Sequence, residues 1–316
     1  MSVAGLIINQ KSSRSASIMD DLLYVAKRFP GVRSIVLDGI EGLDRTLAEL
    51  NRAKIDTLIV AGGDGTLQAA FTDSINMRRF EYSPDVVAVP CGMTNVIAAD
   101  CGLQGAPVGS LDKFLWRRKR GDVRRVTRPL MGVRIGENAP SIYGFFLGAG
   151  AFHSAVKFSR STIQAKGAKR SVALALSVGG YIAKLALGEK PKSAPLLADM
   201  HGGENAPYEG QRALTIAMIS TLRRLVLGIY PFWGEGDAPL AVTTIDYPSR
   251  KLLRAAPLVL RGKSAPWFSR EGYQSWRANG LEMGFEGPFV FDGEIYQLEQ
   301  NQRMTIETTH SAGFLL

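Results

Sequence analysis

Thr57-Leu58-Ile59-Val60-Ala61-Gly62-Gly63-Asp64-Gly65-Thr66 is the stretch that decides the fold. An apolar run enters a glycine-rich turn, and Leu67–Ile75 follows with apolar residues at helical spacing. The same order recurs on both sides. Val3–Ile8 is apolar and ends in Asn9-Gln10-Lys11-Ser12-Ser13, with a helical pattern to Phe29 that Pro30-Gly31 stops. Ser34–Leu37 and Leu43–Ala53 form the next strand and helix. Asp85–Val89 ends in Pro90-Cys91-Gly92-Met93-Thr94-Asn95 before another helix. Repeated strand-then-helix units predict an α/β N-terminal domain with a parallel sheet, helices covering both faces. Three of its polar turns then share the carboxyl edge of the sheet, where ligands bind in such folds.

Beyond the basic run Arg117-Arg118-Lys119-Arg120 the pattern changes. Thr127–Ile135, Ile142–Leu147, Leu214–Ile219, Ala241–Ile245, Ala256–Arg261, Phe289–Phe291 and Met304–Thr308 read as strands with turn signals between them. Helix is expected around 153–188 and over Pro248–Arg254. The second domain is therefore mainly antiparallel β. The boundary falls between residues 127 and 128, giving 1–127 as a nucleotide-binding domain and 128–296 as a β-rich substrate domain.

Composition narrows the function classes. The chain has 316 residues, 46% hydrophobic and 21% charged, as ordinary globular domains do. Cys91 and Cys101, with His153, His201 and His310, have no zinc-ligand spacing and no disulfide framework, so a cytoplasmic setting is expected. The N-terminus reads as a first strand rather than a signal peptide. Ser171–Gly188 is an apolar run with one charge, Lys184, and is expected to be a buried or amphipathic helix rather than a span. The net charge is +9. Arg117–Arg120, with Arg124, Arg125 and Arg128 behind it, suggests attraction to an anionic membrane surface. Without a helix-turn-helix, zinc finger or aromatic RNA-binding strand, no nucleic-acid partner is expected.

Gly62-Gly63-Asp64-Gly65-Thr66 carries the chemistry. Glycines between strand and helix let backbone N–H groups approach a phosphate, and the helix N-terminus favours its charge. A carboxylate there would repel the ligand unless a cation such as Mg²⁺ intervened, which makes Asp64 a candidate for Mg²⁺-linked phosphate binding. Thr66 can cap the helix or bond a phosphate oxygen. A tight βα turn using Gly and Asp only for conformation is the plainer alternative. Neither a P-loop nor a Rossmann fingerprint occurs; Gly148-Ala149-Gly150 has His153 in place of the third glycine.

Four segments together resemble the diacylglycerol kinase catalytic-domain family, which includes bacterial lipid kinases and sphingosine kinases. Gly62–Thr66 looks like its nucleotide loop, and Asn9–Ser13 resembles its N-P-x-S-G turn. Pro90–Asn95 resembles its P-x-G-T-x-N turn, and Asp292-Gly293-Glu294 its late D-G-E. The resemblance implies ATP and Mg²⁺ as cofactors and a nucleotide cleft between the two domains. It implies phosphate or nucleotide contacts from Asn9, Lys11, Ser12, Gly62, Gly63, Asp64, Gly65, Thr66, Gly92, Thr94 and Asn95. It further implies that 297–316 returns to the first domain, and that Glu294, with Asp64, is catalytic: Glu294 as general base toward a lipid hydroxyl. Pro231-Phe232-Trp233-Gly234-Glu235-Gly236-Asp237-Ala238 is a weaker match to a metal-binding segment and leaves Asp237 as a metal candidate.

The expectation is an ATP-dependent lipid kinase acting on a diacylglycerol-like hydroxyl. It would be cytoplasmic or peripheral at the inner face of a membrane, with a homodimer left open. Met93 and Val96 replace the family's Thr and Asp, and His153 stands where many members carry Asp. Two other readings therefore stay open: an NAD kinase-like small-molecule kinase, and a non-catalytic lipid- or nucleotide-binding protein on the same scaffold.

Overall fold

The computed structural model describes residues 3–152, 195–202, 206–225 and 228–316. The chain divides into two compact units. Met1–Leu130, Ile142–Gly144 and Ser311–Leu316 form the first; Met131–Ser141 and Phe145–His310 form the second. The first is α/β with parallel strands and the second mostly antiparallel β.

In the first unit the elements alternate in sequence. They are β1 (Ala4–Asn9), α1 (Ser15–Lys27), β2 (Val32–Leu37), α2 (Leu43–Arg52), β3 (Thr57–Gly62), α3 (Asp64–Asn76), β4 (Asp85–Pro90), α4 (Val96–Cys101) and α5 (Pro107–Lys119). The strands pair in parallel in the order β2-β1-β3-β4, with Ile7 opposite both Ile35 and Val60, and Ile59 opposite Val87. Phe314, from the end of the chain, pairs in parallel with Val86. Every residue of β1 and β3 is buried, as strands covered on both faces must be. Leu22, Val25 and Ala26 of α1 and Leu111, Phe114 and Leu115 of α5 pack on Leu6, Ile8, Ile59 and Val87. Each fully buried Leu or Phe of this kind contributes about 1.5–3 kcal/mol, so these side chains hold β1 and β3, and the turns that follow them, in place.

The helix after the glycine turn starts at Asp64, not at Leu67. Three residues of the expected turn are therefore its first residues, and their N–H groups point along the helix axis toward the turn.

The second unit contains β7 (Phe146–Gly150), β8 (Leu196–His201), β9 (Gly210–Ser220), β10 (Leu240–Asp246), α6 (Leu252–Val259), β11 (Tyr273–Ala278), β12 (Gly280–Gly284), β13 (Gly287–Phe291) and β14 (Glu294–Leu298). β5 (Arg125–Ile135) and β15 (Arg303–Leu315) each run through both units. The antiparallel order is β14-β13-β7-β9-β8-β12-β15, with β10 paired to β9 and β11.

Several expectations change here. Ile142–Leu147 is not one strand. It breaks at Phe145 between β6 (Ile142–Gly144) and β7, because the N–H groups of Phe145 and Phe146 both donate to the Asp292 carboxylate at 2.9 Å. Ala256–Arg261 is not a strand, and Pro248–Arg254 is not the helix. The helix is α6, whose Leu252, Ala255 and Val259 lie on one face and enter a cluster with Phe268 and Tyr273. That face outweighs the cost of Pro257 inside the helix, whose missing N–H faces the carbonyl of exposed Leu253. The helix expected around 153–188, the run Ser171–Gly188 and His153 lie outside the described residues. Among the described residues no helix is long and apolar enough to cross a membrane.

Much of the basic run is neutralised within the first unit. Arg117 pairs with Asp122, Arg118 with Asp56, Arg125 with Asp85 and Arg128 with Asp100. The last pair is buried, with Arg128 Nε 2.6 Å from Asp100 Oδ2 and side chains 10% and 4% exposed. Stranding a buried charge costs about 3–5 kcal/mol, whereas a largely exposed pair is worth about 0–1. Asp100→Ala is thus expected to lower the urea midpoint of unfolding by several times more than Asp122→Ala. Equal midpoints for the two variants would show that the Arg128 pair is solvated.

Candidate phosphate-binding site

Three turns leave β1, β3 and β4 at the carboxyl edge of the parallel sheet, and they are bonded into one body. Asn9 Nδ2 donates to Thr66 Oγ1 at 2.8 Å, joining the first turn to the start of α3. Asn9 Oδ1 accepts the Lys11 N–H at 3.0 Å, so the same side chain closes its own turn. Cys91 N–H donates to the Gly62 carbonyl at 3.1 Å, and the Cys91 carbonyl accepts the Arg14 N–H at 3.0 Å. Ser15, fully buried, reaches the Ala61 carbonyl with its hydroxyl. Arg14 and Ser15 fall just past the Asn9–Ser13 turn. Nothing in the local pattern marks them, since their partners lie far along the chain.

The glycines are needed because two backbones touch. A Cβ on Gly92 would sit 2.4 Å from the Gly63 Cα, and one on Gly62 would strike the Thr66 side chain at 2.8 Å. None of Gly62, Gly63 and Gly92 has a positive φ. The left-handed residue is Asn95, at φ 52° and ψ 48°. Its Oδ1 accepts the Gly92 N–H at 2.7 Å and its Nδ2 donates to the Gly92 carbonyl at 3.0 Å, holding the third turn closed.

Asp64 does not face the open side of the turn. Its Oδ2 accepts the Thr94 hydroxyl and the Val96 N–H, both at 2.9 Å, and its Oδ1 accepts the Ile97 N–H at 3.0 Å. Val96 and Ile97 begin α4, so Asp64 supplies the cap that α4 lacks locally, and the carboxylate charge suits the helix N-terminus. The residue is only 5% exposed. Burial pushes its carboxyl up, and the Val96, Ile97 and Thr94 donors pull it back.

α3 is different. Among the described residues no side chain caps it. Gly63 and Gly65 are partly exposed, so its first N–H groups face outward at a turn free of side-chain bulk, the arrangement that binds a phosphate. Lys11 and Ser12 stand in the neighbouring turn, Lys11 exposed and 3.5 Å from Asp38, near enough in sequence to the Asn9 bridge to add a point charge. The structure thus brings Asn9, Gly62, Gly63, Asp64, Thr66, Gly92, Thr94 and Asn95 into one bonded set.

Glu294 belongs to the second unit. Phe291 pairs with Glu294 across a two-residue turn, Asp292-Gly293, with φ 47° and 88°, the geometry that favours Asp-Gly in tight hairpins. Asp292 is 2% exposed and accepts the Phe145 and Phe146 N–H groups; its own N–H donates to the Phe146 carbonyl. Glu294 itself is exposed. Tyr296, two residues on, is pushed up to about 12 by burial, with the Glu294 and Asp292 charges adding to the effect. Asp237 lies in an exposed loop beside Gly236. Among the described residues no three metal-ligating side chains gather there or elsewhere.

Two variants separate the steric from the electrostatic element. Gly92→Ala drives a Cβ into the Gly63 backbone, while Gly109→Ala in α5 meets nothing within 4 Å. Gly92→Ala is expected to destabilise the first unit and to expose the Cys91 thiol, which burial holds at a pKa of about 11. The measurement is thiol alkylation at pH 8: slow in wild type and Gly109→Ala, fast in Gly92→Ala. Asp64→Ala strands the Val96 and Ile97 N–H groups and is expected to lower stability by about 1–3 kcal/mol in urea. A wild-type midpoint would mean that α4 is capped some other way.

Residues 4–126 match the model of the diacylglycerol kinase catalytic domain. No curated protein matches the sequence. Among solved structures, a diacylglycerol kinase from Bacillus anthracis str. Sterne superposes with a TM-score of 0.64 at 15% identity, covering 98% of this chain and 96% of that one. A second structure from the same organism, provisionally assigned the same activity, gives 0.66 at 15% identity over the same shares. At that identity the likeness establishes the fold. The match over 4–126 takes in the turns after β1, β3 and β4, and over that segment the chain is similar to the diacylglycerol kinase catalytic domain.

Proposed function

We propose that the chain is an ATP-dependent lipid kinase that transfers the γ-phosphate of ATP to a hydroxyl of a diacylglycerol-like lipid. The observation that carries this is the N-terminus of α3, uncapped by any side chain among the described residues and presented on Gly63 and Gly65 by three mutually bonded turns. The names of the similar structures, diacylglycerol kinases, support the acceptor class.

A nucleotide phosphate fits the outward N–H groups of α3. Asn9, Thr66 and Asn95 hold the turns, Lys11 and Ser12 offer a cation and a hydroxyl beside them, and ATP supplies the phosphoryl group. A divalent cation fits less well. The Asp64 carboxylate is already an acceptor for Thr94, Val96 and Ile97, and Asp237 has no partner ligands among the described residues. Mg²⁺ would accordingly rest on nucleotide oxygens and water rather than on a protein cage, as this ion commonly does. Asp64 acts by positioning.

Glu294 accepts the acceptor hydroxyl's proton as its oxygen bonds to the phosphorus; ADP leaves with the electrons of the broken P–O bond. In a loose transition state, positioning and charge matter more than proton removal. The exposed carboxylate on a rigid Asp-Gly hairpin supplies both orientation and a base.

Transfer of labelled phosphate from ATP to diacylglycerol, monoacylglycerol, a sphingoid base and NAD tests the reading. Label is expected in a glycerolipid. Label in NAD alone would make it a small-molecule kinase, and label in nothing a non-catalytic binder. Within the active case, Glu294→Gln is expected to lower kcat by about 10²–10⁴-fold with ATP affinity retained. A change in acceptor KM alone would assign Glu294 to binding.

A further inference from the structure

The connection between β10 and β11 is basic. From Tyr247 to Gly272 it carries Arg250, Lys251, Arg254, Arg261, Lys263 and Arg270 against a single acid, Glu271. α6 lies in this segment. Its buried side is Leu252, Ala255 and Val259. At 100° per residue, Leu253, Arg254 and Pro257 fall on the opposite side, and all three are exposed. Arg250 and Arg261 flank the helix, both exposed, and Leu253 keeps 56% of its surface in water, with Tyr247 at 39%. Lys251 is held down: it pairs with Glu271 at 2.7 Å and stands over the Trp267 ring. Among the described residues, Lys251 is the one of the six whose charge an ion pair engages.

The inner side of α6 is anchored on Phe268 and Tyr273, with Trp267 and Trp233 packed at its edge. The outer side is therefore rigid, basic and apolar together. This differs from the run at Arg117–Arg120, where Arg117 and Arg118 are bonded to Asp122 and Asp56. Arg118 also reaches the start of β3 at Thr57, the edge of the sheet opposite the phosphate-binding turns.

We infer that the outer face of α6, with Arg250, Leu253, Arg254 and Arg261, docks the protein on an anionic phospholipid bilayer. The inference rests on the lipid-kinase reading for its purpose, since a diacylglycerol-like acceptor stays in the membrane. Charge complementarity selects the surface: the exposed arginines, with Glu271 already paired to Lys251, attract anionic headgroups, each multiplying the partition by about five. Leu253 and Tyr247 select a bilayer over a nucleic acid. An aliphatic side chain projecting among arginines gains free energy at the headgroup boundary and gains nothing on a phosphodiester backbone. Insertion is shallow, because α6 is a single short helix whose other side belongs to the core.

The test is sedimentation of the full chain with phosphatidylglycerol–phosphatidylcholine vesicles, without nucleotide, so that its outcome does not depend on turnover. Wild type is expected to bind these vesicles, to bind pure phosphatidylcholine weakly, and to be released by salt. Arg250→Ala with Arg254→Ala is expected to weaken binding about 25-fold. Leu253→Ser weakens it further, and Arg120→Ala with Arg124→Ala leaves it unchanged. Phosphorylation of a water-soluble short-chain acceptor is expected to be untouched by the Arg250, Leu253 and Arg254 changes; this readout reports the kinase reading separately. Loss of vesicle binding in the Arg120 and Arg124 variant but not in the α6 variants would overturn the proposal. Binding of single-stranded RNA through α6 as tightly as vesicles would overturn it too.

Discussion

One buried carboxylate organises the first unit's ligand edge. Asp64 is the first residue of α3, yet its oxygens serve the N-terminus of α4. Two helix ends meet here, and Asp64 treats them differently. The α4 end is satisfied by a charge supplied from another helix, whereas among the described residues no side chain caps the α3 end. A carboxylate facing a bound phosphate at about 4 Å would oppose it by about 4 kcal/mol at an effective dielectric of 20. Turned toward the Thr94 hydroxyl and two N–H groups, the same charge binds the third turn to the second. The cost of burying it is offset by donors that stay in place only if both turns keep their shape.

This explains why the motif was visible in the sequence while its internal logic was not. The strand, turn and helix succession around Thr57–Thr66 is a local pattern, set by apolar runs and glycines, and the parallel sheet follows from its repetition. The reason for each glycine is not local. Gly63 and Gly92 are glycines because their backbones touch across separate turns, and Asn9 meets Thr66 57 positions away. Spacing along the chain carries no record of such contacts. Asp64 looked like a metal-linked residue for the same reason: its partners, Val96 and Ile97, have no side-chain signature for donating an N–H.

The second unit was harder to read for a different reason. Gly280–Gly284 alternates buried with less buried positions, Tyr273–Ala278 mixes buried with half-buried ones and Glu294–Leu298 buries only Leu298, and their polar residues break the apolar runs by which strands are found. Ala256–Arg261 erred the other way. Its apolar residues are dense enough to suggest a strand, but the sheet pairs β10 directly with β11, and the excursion between them is free to become a helix with one face on Phe268. Net charge was similarly misleading as a guide to location. It counts Arg118, Arg125 and Arg128 equally with Arg250 and Arg254, although the first three are held by aspartates.

Asp64 and Asp292 are built on one principle. Each precedes a glycine, each is buried, at 5% and 2% exposure, and each turns its carboxylate onto two backbone N–H groups from a distant segment. Neither is placed to meet a ligand directly. What each leaves exposed is its neighbour: the N–H groups at Gly63 and Gly65 in one case, the Glu294 carboxylate in the other. Phosphoryl transfer through a loose transition state gains most from groups that do not move as charge shifts. A flexible carboxylate would have to be ordered at the moment of reaction, at a cost of side-chain entropy. Glu294 is exposed and would be such a group on an ordinary loop. Its backbone, however, is held within the hairpin by the pairing with Phe291 and by the Asp292 bonds to Phe145 and Phe146, so only its side-chain rotamers remain free.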